Sequence, residues 1–170
     1  ARLLTPIAKY WICKRAPYIA YEAMEAHGGA GYVEEHPLPR MFRQSPLNAI
    51  WEGSGNVIAL DVLRALGRDQ TAREALSAEL AAASGRHPAL DARLNALSDM
   101  ASNGVGEADA RRFAERAATA LTAAALLRAG LEPAADAYIA RRIEETPTTL
   151  GAGEAPIDAD ALIARARLAA

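Results

Sequence analysis

Cysteine is nearly missing from this 170-residue chain: Cys13 stands alone, so no disulfide can close within the chain and no cysteine-based zinc site can form. Cys13 reads as a buried structural thiol within a helical pattern. Lysine is almost as scarce, with Lys9 and Lys14 against 17 arginines among 19 basic residues. Aromatic residues reach only 5% while hydrophobic residues reach 51%, so the apolar content is mostly Ala and Leu, which favours helix over sheet. The net charge of −2 removes any global basic field of the kind that marks nucleic-acid binders. No apolar run approaches the ~18 residues of a membrane span, and no signal peptide opens the chain, so no membrane partner and a cytoplasmic location are expected. His27 and His36 lack metal-ligand spacing with other candidates, and no metal site is expected. The chain starts without Met and inside a helical pattern, which reads as a C-terminal fragment of a longer protein.

What is present is helical periodicity. Apolar residues Ile7, Tyr10, Trp11, Cys13, Tyr18, Tyr21 and Met24 recur at helical spacing between about Leu3 and Ala26. Pro17 interrupts them, predicting one kinked helix or two short ones. Gly28-Gly29 are placed to stop it. A loop over Tyr32–Pro39, a short helix over Leu38–Arg43 and a turn at Ser45-Pro46 follow. Ser54 is a good N-cap for a helix through Val57, Ile58, Leu60, Val62, Leu63 and Leu66, with Gly67 as terminator. Further helices are expected over Arg68–Ala83, from Pro88 to about Ser102, over Glu107–Ala129, from Pro133 to Glu145, and after Asp158, with a loop over Thr146–Pro156. No strand alternation is convincing, so the fold class is all-α. Both tryptophans and four of the five tyrosines precede Gly67, and the rest is Ala-rich without lysine. This shift predicts two helical units, residues 1–67 and 68–170.

One carboxylate stands out. Glu52 lies in the small-residue turn Trp51-Glu52-Gly53-Ser54-Gly55-Asn56, just before a helix, where a ligand can approach with little obstruction. That is a suitable place for a general base. The plainer reading is a solvated acid at a helix N-terminus. Trp51 reads as a pocket wall or core residue. The cluster Gly28-Gly29-Ala30-Gly31 reads first as a helix C-cap and second as a backbone cradle for phosphate.

The segments His27-Gly28-Gly29-Ala30-Gly31-Tyr32, Arg40-Met41-Phe42-Arg43 and Trp51-Glu52-Gly53-Ser54 resemble, in order and spacing, the C-terminal helical domain of acyl-CoA dehydrogenases. The fuller wording Asn48-Ala49-Ile50-Trp51-Glu52-Gly53-Ser54-Gly55-Asn56-Val57, with Cys13-Lys14-Arg15 upstream, resembles the alkylation-response (AidB-type) branch of that family. The close resemblance covers about residues 5–66; beyond residue 70 it rests on helical character and length alone. It implies FAD as cofactor and an acyl-CoA thioester as substrate. Glu52 matches the glutamate that removes the α-proton. Gly53 and Trp51 match the substrate-facing turn. Gly28, Gly29, Ser54, Gly55 and Asn56 match FAD contacts, the glycine pair often serving a neighbouring subunit, and a homotetramer is implied. Glu25 stands where the family usually has Gln.

The same branch implies double-stranded DNA binding by the tail, the alternative being a DNA-protecting flavoprotein with a vestigial dehydrogenase site. From Thr71 onward there are 11 arginines and 14 acids, giving −3, so the tail is not a basic domain. Arg111, Arg112 and Arg116 on one helix are the candidates for a local phosphate-binding patch, with pairing to nearby acids as the plainer reading. Arg40 and Arg43 read as partners for Glu34, Glu35 or a neighbouring subunit, or as a solvated face.

Overall fold

The structure, a computed structural model, describes residues 2–145, 147, 149–154 and 157–167. All regular structure among these residues is helical. The eight α-helices are α1 (Leu4–Ala26), α2 (Leu38–Gln44), α3 (Gly55–Arg68), α4 (Gln70–Ala81), α5 (Pro88–Asn103), α6 (Ala110–Arg128), α7 (Glu132–Ile139) and α8 (Ala159–Ala166). Short 3₁₀ turns occupy Gly28–Gly31, Ser45–Ala49 and Glu107–Asp109. The chain divides into two compact units, one of residues 1–73 and 105–115, the other of residues 74–104 and 116–170.

In the first unit, α1 packs against α3 and against the turn Ser45–Ala49. Leu3, Ile7 and Tyr10 are its buried anchors, opposite Ile58, Ala59 and Val62 of α3. Each fully buried Leu, Ile or Val contributes roughly 1.5–3 kcal/mol of transfer free energy. Tyr10, Ile58 and Ala59 form one cluster with Ala110 and Ala114 from the start of α6. The Tyr10 hydroxyl accepts a hydrogen bond from Arg111 Nε at 3.2 Å, so its polar tip is satisfied at the edge of that cluster.

Local chemistry explains where the helices run and stop. Pro17 lies inside α1, which continues as one helix rather than two. The expected terminator Gly67 stays within α3, and the break falls at Asp69, whose backbone is extended. The Asp69 carboxylate accepts the Ala72 N–H at 2.8 Å and so opens α4. Ser54 occupies the N-cap position of α3 but its hydroxyl makes no cap bond. Gly104 (φ 81°) follows α5, and Gly130 (φ 68°) follows α6, as expected of residues that must turn left-handed.

In the second unit the Ala-rich α6 buries Ala117, Ala118, Ala120, Ala123, Ala124 and Leu127. Leu76, Leu80, Leu90, Leu97, Ala135 and Ile139 supply the remaining apolar bulk. The single helix expected from Pro133 to Glu145 instead becomes α7 followed by a π turn over Ala140–Glu144. The wider turn leaves the Ile143 carbonyl to accept from Arg93 at 3.3 Å, while Arg93 also donates to Thr119 Oγ1 at 3.1 Å. Asp158 caps α8 by accepting the Ala161 N–H at 2.9 Å. Residues 146, 148, 155 and 156 of the expected loop, and residues 168–170 beyond α8, lie outside the described residues.

Candidate active site

The turn that carries Glu52 is built by α1. Backbone bonds from Ile50 N and Trp51 N to the Leu47 carbonyl (2.9 and 3.2 Å) close the chain just before it. Glu52 then adopts φ 54°, the one non-glycine residue with positive φ among the described residues. Gly53 follows at φ 108°, where a side chain would be strained. Lys9 of α1 donates from Nζ to both flanking carbonyls, Trp51 O at 2.8 Å and Gly53 O at 3.3 Å. Gly55, the first residue of α3, is buried against a second lysine of α1: a Cβ there would lie 2.5 Å from Lys14 Cε and 3.7 Å from Tyr10 Cε2. The structure thus brings Trp51, Glu52, Gly53, Ser54, Gly55 and Asn56 together with Lys9, Tyr10 and Lys14. Neither lysine was given a role in the site from the sequence, although Lys14 lies in the Cys13-Lys14-Arg15 segment of the resemblance. Their rarity among 19 basic residues was the available signal.

Trp51 is neither core nor the wall of a closed pocket within this chain; it is 57% exposed. Glu52, Ser54 and Asn56 are exposed as well. The apolar anchors of this segment are Ile58 and Val62, one turn and two turns into α3, which leaves the turn itself to face outward.

The glycine cluster lies at the other end of α1. His27 caps the helix, its Nδ1 2.8 Å from the Ala23 carbonyl. Gly28 turns left-handed at φ 57°. Gly31 is buried where a Cβ would run into the Met24 backbone, so its missing side chain is a packing requirement. Gly29 is different: it has ordinary φ and nothing within 4 Å of where a Cβ would be. Contacts within the chain give no reason for Gly29 to lack a side chain. At 1.5 Å per residue, Lys9 and Gly28 are ~28 Å apart along the helical path. The two sets of expected FAD-contacting residues are therefore not brought together within this chain. The rings of His27 and His36 meet with centroids 5.4 Å apart, a proximity their sequence spacing does not announce.

Arg43 and Glu34 form a two-pronged ion pair at 2.7 and 2.8 Å, which holds the Glu34 carboxyl below its ordinary pKa, chiefly through the hydrogen bond. Arg40 is exposed. The three arginines proposed for DNA have local partners: Arg111 with Tyr10, Arg112 with Asp109 at 2.7 Å, and Arg116 with Met100 Sδ at 3.8 Å. Hydrogen bonding to Tyr10 raises the Arg111 pKa further. A cavity of about 220 Å³ in the second unit is lined by Glu79, Ala82, Ala83, Arg86, Ala124, Leu127 and Arg128, none of them a predicted site residue. No group of three or more His, Cys, Asp or Glu poised to hold a metal occurs among the described residues. No helix among them is long and apolar enough to cross a membrane.

Known proteins share parts of this sequence and fold. Residues 1–67 match the family described as acyl-CoA dehydrogenase, C-terminal domain. AidB of Escherichia coli K12 is 56% identical over 78 residues, which cover 45% of this chain and 14% of that protein. Acyl-CoA dehydrogenase family member 11 of Caenorhabditis elegans is 44% identical over 63 residues, 37% of this chain and 10% of that protein. The chain therefore spans about a seventh or less of the length of these curated relatives. Among solved structures, Bd2924 in its apo form matches with TM-score 0.66 and 34% identity, covering 76% of this chain and 25% of that one. ACDH-11 of Caenorhabditis elegans, solved in complex with C11-CoA, matches with TM-score 0.63 and 27% identity, covering 79% of this chain and 26% of that one. Structural likeness thus reaches well past the segment that the family description covers. By these matches, residues 1–67 belong to the acyl-CoA dehydrogenase family, as part of its C-terminal helical domain.

Proposed function

We propose that this chain is the C-terminal part of a FAD-dependent acyl-CoA dehydrogenase-like protein in which Glu52 is the general base. The observation that carries this reading is the backbone of Glu52. A residue with a Cβ in left-handed conformation costs roughly 1–3 kcal/mol and persists where the surroundings enforce it, which is typical of functional positions. Here the enforcement is visible in Lys9 and in the packed start of α3. An exposed carboxylate on a turn held by Lys9 and the start of α3 has a placement that proton abstraction can use.

The residues present suit FAD. Gly29 leaves open space beside an exposed backbone, Gly28 turns that backbone outward, and the Ser54 hydroxyl at the start of α3 makes no cap bond. Gly28 and Gly29 would hold the pyrophosphate region, and Ser54, Gly55 and Asn56 a second part of the cofactor. Because these sets are ~28 Å apart along α1, they fit two different cofactors better than one, which supports a homo-oligomer sharing its sites. Bound FAD supplies the acceptor for the hydride that leaves the β-carbon.

The chain's own part is the proton. Glu52 takes the α-proton of the thioester, whose weak acidity demands a base removed from water at the moment of transfer. Exposed as it is here, Glu52 acquires that dry environment from the bound acyl chain and cofactor, with Trp51 as the neighbouring apolar surface. The relative solved with C11-CoA supports an acyl-CoA as the substrate class. Double-stranded DNA binding finds less support, since Arg111, Arg112 and Arg116 are each engaged with a local partner.

The test is isotope exchange. Incubated in D₂O with the FAD-loaded protein, an acyl-CoA thioester exchanges its α-protons for deuterium, and Glu52→Gln abolishes the exchange. Exchange that persists in Glu52→Gln assigns the base elsewhere.

A further inference from the structure

We propose that Lys9 is a positioning residue for Glu52: its ammonium bridges the carbonyl oxygens on either side of Glu52 and locks that residue in the left-handed conformation. The proposal rests on the reading of Glu52 as the base for its chemical meaning, and on the geometry alone for its structural one.

Three observations converge. First, Lys9 Nζ lies 2.8 Å from Trp51 O and 3.3 Å from Gly53 O, two carbonyls that bracket the Glu52-Gly53 pair. Carbonyl dipoles directed at one point repel each other unless a cation sits between them. Second, of the two bracketed residues, both at positive φ, Glu52 at φ 54° lacks glycine's freedom. Third, the chain otherwise uses arginine for positive charge. Its two lysines, five residues apart on α1, both pack on this one turn, Lys9 on residues 51 and 53 and Lys14 on Gly55. A compact ammonium with three rotatable donors can serve two carbonyls that converge, whereas the planar fork of a guanidinium is built for a flat carboxylate or phosphate.

The consequence is kinetic. A base must meet the α-carbon within a narrow geometry, and about 1 Å of misplacement costs ~10²-fold in rate. A Lys9 that sets the Glu52 backbone governs proton transfer while contributing no contact to the acyl-CoA.

The experiment compares wild type, Lys9→Met, which keeps the apolar stem, and Lys9→Arg, which keeps the charge. In the full chain, the backbone ¹⁵N order parameter of Glu52 is expected to be about 0.85 in wild type and to fall below about 0.6 in Lys9→Met. Lys9→Arg is expected to lie between them, which keeps the test open should Lys9→Met fail to fold. In the FAD-loaded protein, Lys9→Met is expected to slow flavin reduction by ~10²-fold with thioester affinity unchanged. A Glu52 that stays rigid in both variants overturns the proposal. So does a loss of order spread evenly over α3, which marks a merely structural lysine. Flavin reduction that survives Glu52→Gln removes the base assignment instead, leaving the order parameters to judge the clamp.

Discussion

Replacing Glu52 with glycine is expected to stabilise the fold while ending proton abstraction. The left-handed backbone of Glu52 costs about 1–2 kcal/mol, and the extra unfolded-state entropy of glycine returns about 0.4–1 kcal/mol of that. A net gain of about 0.5–1 kcal/mol should appear in urea unfolding; a loss would mean that the Glu52 side chain itself supports the fold. Glu34 offers a pH-dependent test at the same scale. Arg43 lowers the Glu34 pKa, so the folded state binds this proton less readily than the unfolded chain. The pair's contribution is complete above the unfolded carboxylate pKa and is lost as pH falls through the folded value. Arg43→Ala should therefore flatten the fall in stability between about pH 5 and pH 3. Because both side chains are exposed, raised salt should shrink the difference. The turn that carries Glu52, just before α3, was legible from its small residues. Lys9 was not, because a bridge across 42 and 44 residues leaves no local pattern.

The glycines of the first turn after α1 separate packing from binding at the level of one element. Gly31→Ala forces a methyl group into the Met24 backbone and should destabilise by about 1–3 kcal/mol or prevent folding. Gly29→Ala meets open space at ordinary φ and should stay within about 0.5 kcal/mol of wild type. If Gly29 lies against FAD, the same change should weaken FAD retention by about tenfold, measured as the flavin-to-protein ratio after dialysis; unchanged retention would return Gly29 to an ordinary helix-end residue. Most helices were legible from apolar spacing and Gly or Pro punctuation. Two boundaries were not. The end of α3 shifted past Gly67 because Asp69 both breaks that helix and caps the next. The π turn after α7 leaves the Ile143 carbonyl to Arg93, 50 residues upstream. Both involve hydrogen bonds that apolar periodicity does not encode.

Across the whole molecule, composition foretold an all-helical chain, and the ordered motifs of residues 27–56 pointed to the family that residues 1–67 belong to. Nothing in the sequence marked Val105–Glu115 as clustering with the first 73 residues, since Ala110 and Ala114 join Tyr10 and Ile58 through small contacts that any Ala-rich helix could make. The exposure of Trp51 was equally hidden, because a tryptophan beside a helix start looks the same in sequence whether it packs inward or awaits a ligand. The strained turn at Glu52 is proposed here as a working proton-abstraction site. Its most direct test is an anaerobic titration of a flavin-loaded protein carrying this segment with saturated acyl-CoA thioesters, followed by flavin absorbance. Bleaching is expected in wild type and none in Glu52→Gln; bound flavin that no thioester bleaches, or bleaching that Glu52→Gln leaves intact, would remove Glu52 as the base.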